Sequence, residues 1–168
     1  MMKISGTILF KEIQHFRVQW LWWLIIIGLL APVGITLGLA ITEKEKAAEA
    51  WIALAFVIPF EVVILYLFYI NRLETVVNNV GVLYKWWLFQ RAYRFIARAE
   101  IDKAELRKGP LLSYGFHWIP GFGKVHNMGP GKGIQFILKN GRKIFLGTQK
   151  QSAFQTALEK IMSVPRKQ

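Results

Sequence analysis

The sequence predicts a membrane α-helical hairpin followed by an α+β module of about seven antiparallel strands closed by a C-terminal helix. Three observations predict it. Two long apolar runs occupy most of the chain before residue 71, short alternating runs with turn residues follow, and one amphipathic stretch ends the chain.

The composition agrees. Of 168 residues only 19% are charged while 14% are aromatic, and the mean hydropathy is positive. Such a balance fits a chain partly in lipid better than an ordinary soluble domain. There is no cysteine, which excludes disulfides, thiolate metal sites and cysteine nucleophiles.

The first span is Val18–Ile41, VQWLWWLIIIGLLAPVGITLGLAI, without a charge. At about 1.5 Å per residue it extends roughly 36 Å, enough to cross a hydrocarbon core of about 30 Å. The second is Ala50–Ile70, AWIALAFVIPFEVVILYLFYI, whose one charge is Glu61. Its Leu, Ile, Phe and Val contribute about −0.4 kcal/mol each, roughly −5 together, against about +3 for a central carboxylate, so insertion wins. Trp20, Trp22, Trp23, Trp51, Tyr66 and Tyr69 fall toward the span ends, where amphipathic rings favour the headgroup layer. The first run is too long for a signal h-region and a second span follows at once, so the pair reads as a hairpin. Gly28 and Gly34-xxx-Gly38 read as close-packing positions.

The organisation is then a flank over 1–17, a hairpin over 18–70 joined by TEKEKAAE, and a module over 72–168. The whole net charge of +12 lies after Ile70, and Arg17 and Arg72 abut the spans. The positive-inside rule places both termini in the cytoplasm, at an inner (plasma) membrane. Glu61, an intramembrane carboxyl after Pro59, is a functional candidate by default. A relay needs several polar groups along a path, and Thr36 is all the first span offers. The structural reading is a carboxyl bonded to backbone or to another copy of the hairpin. The rival is transport or ion coupling.

Within the module, strands are expected at Arg72–Val77, Val82–Gln90, Arg91–Ile96, Ile101–Lys108, Leu112–Trp118, Gly133–Lys139 and Lys143–Gly147. A helical turn is expected at Ala97–Glu100. Asn140-Gly141 between apolar runs is a strong hairpin signal. The closing helix, Gln149–Ser163, carries an apolar face of Ala153, Phe154, Ala157, Leu158, Ile161 and Met162, with Thr148 and Gln151 as a capping box and Pro165 beyond. Alternation puts Trp86 and Trp87 on opposite faces, one in the core and one free for an interface.

RLETVVNNVGVLYKWW after the second span, YGFHWIPGFGKVHNMGPGKGIQFILKNGRKIFLGTQ, and the terminal helix together carry a resemblance. The chain resembles bacterial membrane proteins with a PH-like (pleckstrin-homology) domain behind a two-helix hairpin. Leu146-Gly147-Thr148-Gln149 matches the strand end that precedes the helix there. The resemblance implies an architecture and no catalytic residue.

The stretch GFGKVHNMGPGKG, residues 121–133, is the candidate site. It is no Walker A loop: His126 and Gly133, and for the other register Trp118, stand where that motif needs Gly or Ser/Thr, and a strand follows rather than a helix. His117 and His126, with Asp102 or Glu105, are a weak metal set without HxxxH or HxH spacing. Ser113, His117 and Asp102 lack a nucleophile elbow or an oxyanion loop. The reading is a protein without catalytic activity, metal or other cofactor. Lys124, Lys132, Arg142 and Lys143 are expected on adjacent loops, where lysine and arginine near an anionic leaflet contribute about 1 kcal/mol each. Membrane lipids are therefore the expected partners, with a protein partner by strand addition, or self-association, as the alternative. Aromatics on basic strands also suit single-stranded nucleic acid, but no RNP-like run is present and membrane proximity accounts for the charge.

Overall fold

The computed structural model describes residues 6–16, 19–110, 114–129 and 131–163. Two compact units emerge. One is Arg17–Ile70; the other joins the N-terminal residues through Phe16 to the chain from Asn71 onward.

The first unit is two helices, α1 (Gln19–Thr42) and α2 (Ala47–Ile70), linked by a 3-10 turn at Lys44–Lys46. Val18 and Arg17 lie outside the described residues. Both helices are long and apolar enough to cross a membrane, and only 6% of the most apolar stretch of each is buried in the chain. The core helix of a soluble globule would be mostly buried. Trp22 meets Phe68 edge-on at 6.5 Å between the helices. The glycines do not make this contact: a Cβ at Gly28, Gly34 or Gly38 would meet nothing within 4 Å. The close-packing expected of them is not used between α1 and α2.

The second unit is built from two sheets and a helix. Among the described residues it has nine strands rather than about seven. The first sheet runs β1 (Ile8–His15), β2 (Arg72–Asn78), β3 (Gly81–Trp86), β4 (Arg94–Ala97), all antiparallel. The second contains β5 (Ile101–Lys108), β6 (Gly115–Ile119), β7 (Gly123–Asn127), β8 (Lys132–Leu138) and β9 (Lys143–Gly147), in the order β5-β8-β9-β7-β6. Its pairs are antiparallel except β7 with β9, which are parallel. Helix α3 (Gln151–Ser163) closes the chain, and a 3-10 turn at Arg98–Glu100 links the sheets.

Two strands correct the sequence reading. Residues 8–15 belong to the sandwich, not to a free flank: β1 pairs with β2 from Ile8↔Asn78 to His15↔Arg72. Its inward residues are Phe10, Glu12 and Gln14, while Ile8, Leu9 and Ile13 are exposed. Polar-in, apolar-out alternation hides a strand from a hydropathy pattern. Likewise β7 runs through the glycine-rich stretch, with Val125, His126 and Asn127 all buried.

Tight turns follow local chemistry. Asn78 Oδ1 accepts from the N–H of Val80 and Gly81, at 3.2 and 2.9 Å, which bends the β2–β3 turn. Gly141, at φ 78°, supplies the left-handed residue of the Asn-Gly turn between β8 and β9. Gly123, at φ 74°, lets β7 approach β9 where a Cβ would strike the Lys143 carbonyl oxygen.

The core lies between the sheets and under α3. Phe10 stacks on Phe154 at 5.0 Å, and Phe136 lies 6.3 Å from Phe154. The buried face of α3 is Phe154, Ala157, Leu158 and Ile161; Ala153 and Met162 are exposed. A fully buried side chain of this size contributes about 1.5–3 kcal/mol. The expected capping box does not form. Thr148 Oγ1 instead accepts from Lys150 N–H at 3.0 Å and donates to Glu12 Oε2 at 2.6 Å. Glu12 Oε1 accepts from Gln149 N–H at 2.9 Å, while Gln14 Nε2 donates to Glu12 Oε2 and to the Gly147 carbonyl. A carboxylate from β1 therefore ties the start of the chain to the β9–α3 joint.

Candidate functional site

Strand alternation brings one set of side chains to the open space between the sheets. On the first sheet Tyr84 (β3) and Arg94 (β4) are cross-strand neighbours. On the second, Lys124 (β7) pairs with Ile144 (β9) and with Trp118 (β6). Together with Arg142 of the β8–β9 turn and Lys143 at the start of β9 they line a pocket of about 540 Å³. Tyr84, Ile96, Leu138 and Ile144 are its buried apolar floor, and the cations stand at its exposed rim. Glu100 is the one carboxylate in the lining. No salt bridge reaches Arg94, Lys124, Arg142 or Lys143 among the described residues.

The Tyr84 side chain lines the pocket beside Arg94. Burial pushes its pKa up, against the pull of Arg94, which hydrogen-bonds it, and of Arg142. The group stays a neutral O–H that can donate to an anion. Clustered cations with one carboxylate give the cleft a positive field that attracts an anion. Volume, apolar floor and polar rim suit a small ligand with a negatively charged group.

Behind the pocket lies His126, fully buried. Its Nδ1 accepts the Trp86 indole N–H at 2.8 Å, so the ring proton is on Nε2, which has no hydrogen-bond partner among the described residues. Tyr84 packs edge-on against it at 4.6 Å and Phe116 stacks on it at 4.8 Å. Burial, then the charges of Arg94, Lys124 and His117, push its pKa down to about 3. A neutral imidazole bonded to tryptophan is a core element.

The sequence-predicted residues divide. Lys124, Arg142 and Lys143 converge on the pocket. Lys132 does not: it begins β8, opposite Lys108 of β5, while the pocket uses Leu138 at the other end of that strand. Arg94 and Tyr84 were missed. The available signal was alternation, because Arg94 shares a face with buried Ile96, and Tyr84 with Val82 and Trp86. Trp86 is the core ring and Trp87 the exposed one, as alternation requires.

The metal candidates separate. Strand register puts His117 opposite Val125 and His126 opposite Phe116, hence on different faces, and Asp102 and Glu105 lie on β5 at the far edge of the sheet. Among the described residues no three His, Asp or Glu side chains converge as metal ligands. Ser113 lies outside the described residues. Glu61 on α2 is half-buried, with no hydrogen bond or ion pair among the described residues. Thr36 Oγ1 donates back to the Pro32 carbonyl of its own helix, and the groove between α1 and α2 is lined by apolar residues such as Val33, Leu54 and Ile58.

The glycine-rich stretch turns out to shape a sheet. Phe122, between Gly121 and Gly123, folds onto the outer face of the second sheet. It meets Phe145 edge-on at 5.6 Å and lies under the Arg107 guanidinium at 4.2 Å, while its carbonyl accepts from Gln135 Nε2 at 3.0 Å.

No family model, curated protein sequence or solved structure matches this chain.

Proposed function

We propose that this chain is a membrane-anchored binding module without catalytic activity, of PH-like type, that takes an anionic, phosphorylated headgroup at the Arg94–Lys124–Arg142–Lys143 pocket. The observation that carries the reading is that pocket: four cations without a salt bridge among the described residues, a neutral tyrosine hydroxyl and an apolar floor, in a chain with two helices able to cross a membrane. The pairing of β1 with β2 on either side of the hairpin supports an arrangement with both termini on one side, read as cytoplasmic from the charge after Ile70.

The test is titration of the full chain, in nanodiscs of zwitterionic lipid, with soluble short-chain phosphatidic acid and separately with inorganic phosphate. Saturable binding is expected. A hydrogen bond to a charged group contributes about 1.5–3 kcal/mol, so Arg94→Gln and Lys124→Gln should each weaken binding about 10- to 100-fold. Lys132→Gln, away from the pocket, should leave it unchanged. Equal, purely salt-screened losses for all three would mean diffuse attraction without a pocket.

A second reading, a protein adaptor, is favoured by one observation. Strand β6 is an edge of its sheet and exposes Phe116 and Trp118, as strand addition requires. Transport through Glu61 gains no support from an apolar groove.

A further inference from the structure

The turn between β3 and β4 presents Trp87 and Phe89, which are 46% and 70% exposed. No part of the pocket uses them. Trp87 N–H donates to the Arg72 carbonyl at 3.0 Å, and the Arg72 guanidinium lies 4.9 Å from the centre of the Trp87 ring. Arg72 opens β2, and one residue, Asn71, separates it from Ile70, the last residue of α2.

Chain length alone then limits where this turn can be. Two residues reach at most about 7 Å, so Arg72 Cα cannot lie farther than that from the end of α2. A directly opposed strand neighbour adds about 5 Å. The headgroup region outside a hydrocarbon core of about 30 Å is itself several ångströms deep on each side. Whatever the tilt of the sandwich, an α2 that crosses the bilayer leaves Trp87 in or next to that layer.

The side-chain chemistry fits this location. Amphipathic rings favour the headgroup level, a guanidinium pairs with lipid phosphate, and a large apolar ring such as Phe89 gains by leaving water for the acyl boundary. We infer that the Trp87–Phe89 turn, braced by Arg72, is a membrane-inserting wedge that docks the sandwich on the lipid surface. The occupant of this exposed patch is bilayer lipid. The inference rests on the reading of α2 as a membrane span, and it adds a lipid contact separate from the anion pocket.

The absence of native cysteine allows a direct test on the full chain. Phe89→Cys carries an environment-sensitive fluorophore in nanodiscs, with and without lipid bearing a nitroxide quencher near the headgroup. Arg91→Cys, in the same exposed stretch, repeats the measurement should the first variant not fold. Phe56→Cys, near the middle of α2, is read with the quencher deep in the acyl chain. The expected result is a blue shift and loss of emission at residue 89 or 91, together with deep quenching at 56. Quenching at 56 with an unshifted, unquenched label at 89 and 91 overturns the wedge while the span stands; a protein-facing patch gives that pattern. No quenching at 56 overturns the span, and the wedge with it.

Discussion

In the helix pair Trp23, Ile27, Phe56 and Phe60 are all exposed by 60% or more; in the sandwich Trp86, Phe136, Phe145 and Phe154 are exposed by 1% or less. Both regions are rich in large apolar side chains and use them in opposite ways. Backbone satisfaction explains the difference. Each helix pairs its own amides, so it can turn its side chains outward into lipid, whereas strands need neighbours and close a core between them. The polar content follows. The sandwich buries Glu12, Gln14, His126, Asn127 and Gln135, most of them held by hydrogen bonds, while the helix pair has Glu61 between apolar turns.

The largest test of this contrast is deletion of residues 1–16. A free flank could be removed at no cost, but loss of β1 takes away Phe10, Glu12 and the pairing of β2. The sandwich should lose its cooperative unfolding transition and its protease resistance. Next, Phe154→Ala should cost about 3–5 kcal/mol in chemical unfolding of the sandwich. Phe56→Ala, outward on α2, should change that unfolding by no more than about 0.5 kcal/mol.

A pH series comes third. His126 has a folded pKa of about 3 against an ordinary 6.5. The unfolded chain therefore binds the proton first, and the contribution of this group is full above 6.5 and lost as pH falls from there toward 3. The slope approaches about 1.4 kcal/mol per pH unit, and His126→Asn should flatten it in thermal unfolding measured across that range. Glu74 acts only lower. Burial raises its pKa, but hydrogen bonds from Tyr93 and Lys11 and the charges of Lys11 and Arg72 outweigh this and hold it below 4.5. Its contribution is present above that value and fades as pH drops through the folded pKa. A smaller loss, about 1–3 kcal/mol, is expected for Glu12→Gln, which turns one acceptor toward the Thr148 and Gln149 donors into a donor. A similarly small effect belongs to the connector. Lys46 and Glu43 pair at 2.7 Å but are largely exposed, so Lys46→Ala should shift thermal unfolding by less than about 1 kcal/mol.

What could be read in advance divides along the same line. Both helices, β5 at Ile101–Lys108, the Asn140-Gly141 turn and most of the α3 face follow from periodicity and turn chemistry, which are local. The strands β1 and β7 do not, because Glu12, Gln14 and His126 are buried with partners more than a hundred residues away or on another sheet, which no local pattern encodes. The pocket was legible by half for the same reason. Lys124, Arg142 and Lys143 crowd near glycines in the sequence, whereas Arg94 and Tyr84 reach them only through cross-strand register. Lys132 shared the composition of that loop but begins a strand whose far end reaches the pocket.

The strand pairing His15↔Arg72 has a consequence for biogenesis. The first strand of the sandwich leaves the ribosome before either helix, and its neighbour only after both. Were residues 16–71 a floppy loop, joining its ends would carry a sizeable entropic penalty. Two helices that pair early return the chain to its starting point and remove most of that penalty. Pairing of the helices would therefore come before closure of the sandwich, with β1 waiting as an unpaired strand until translation delivers β2.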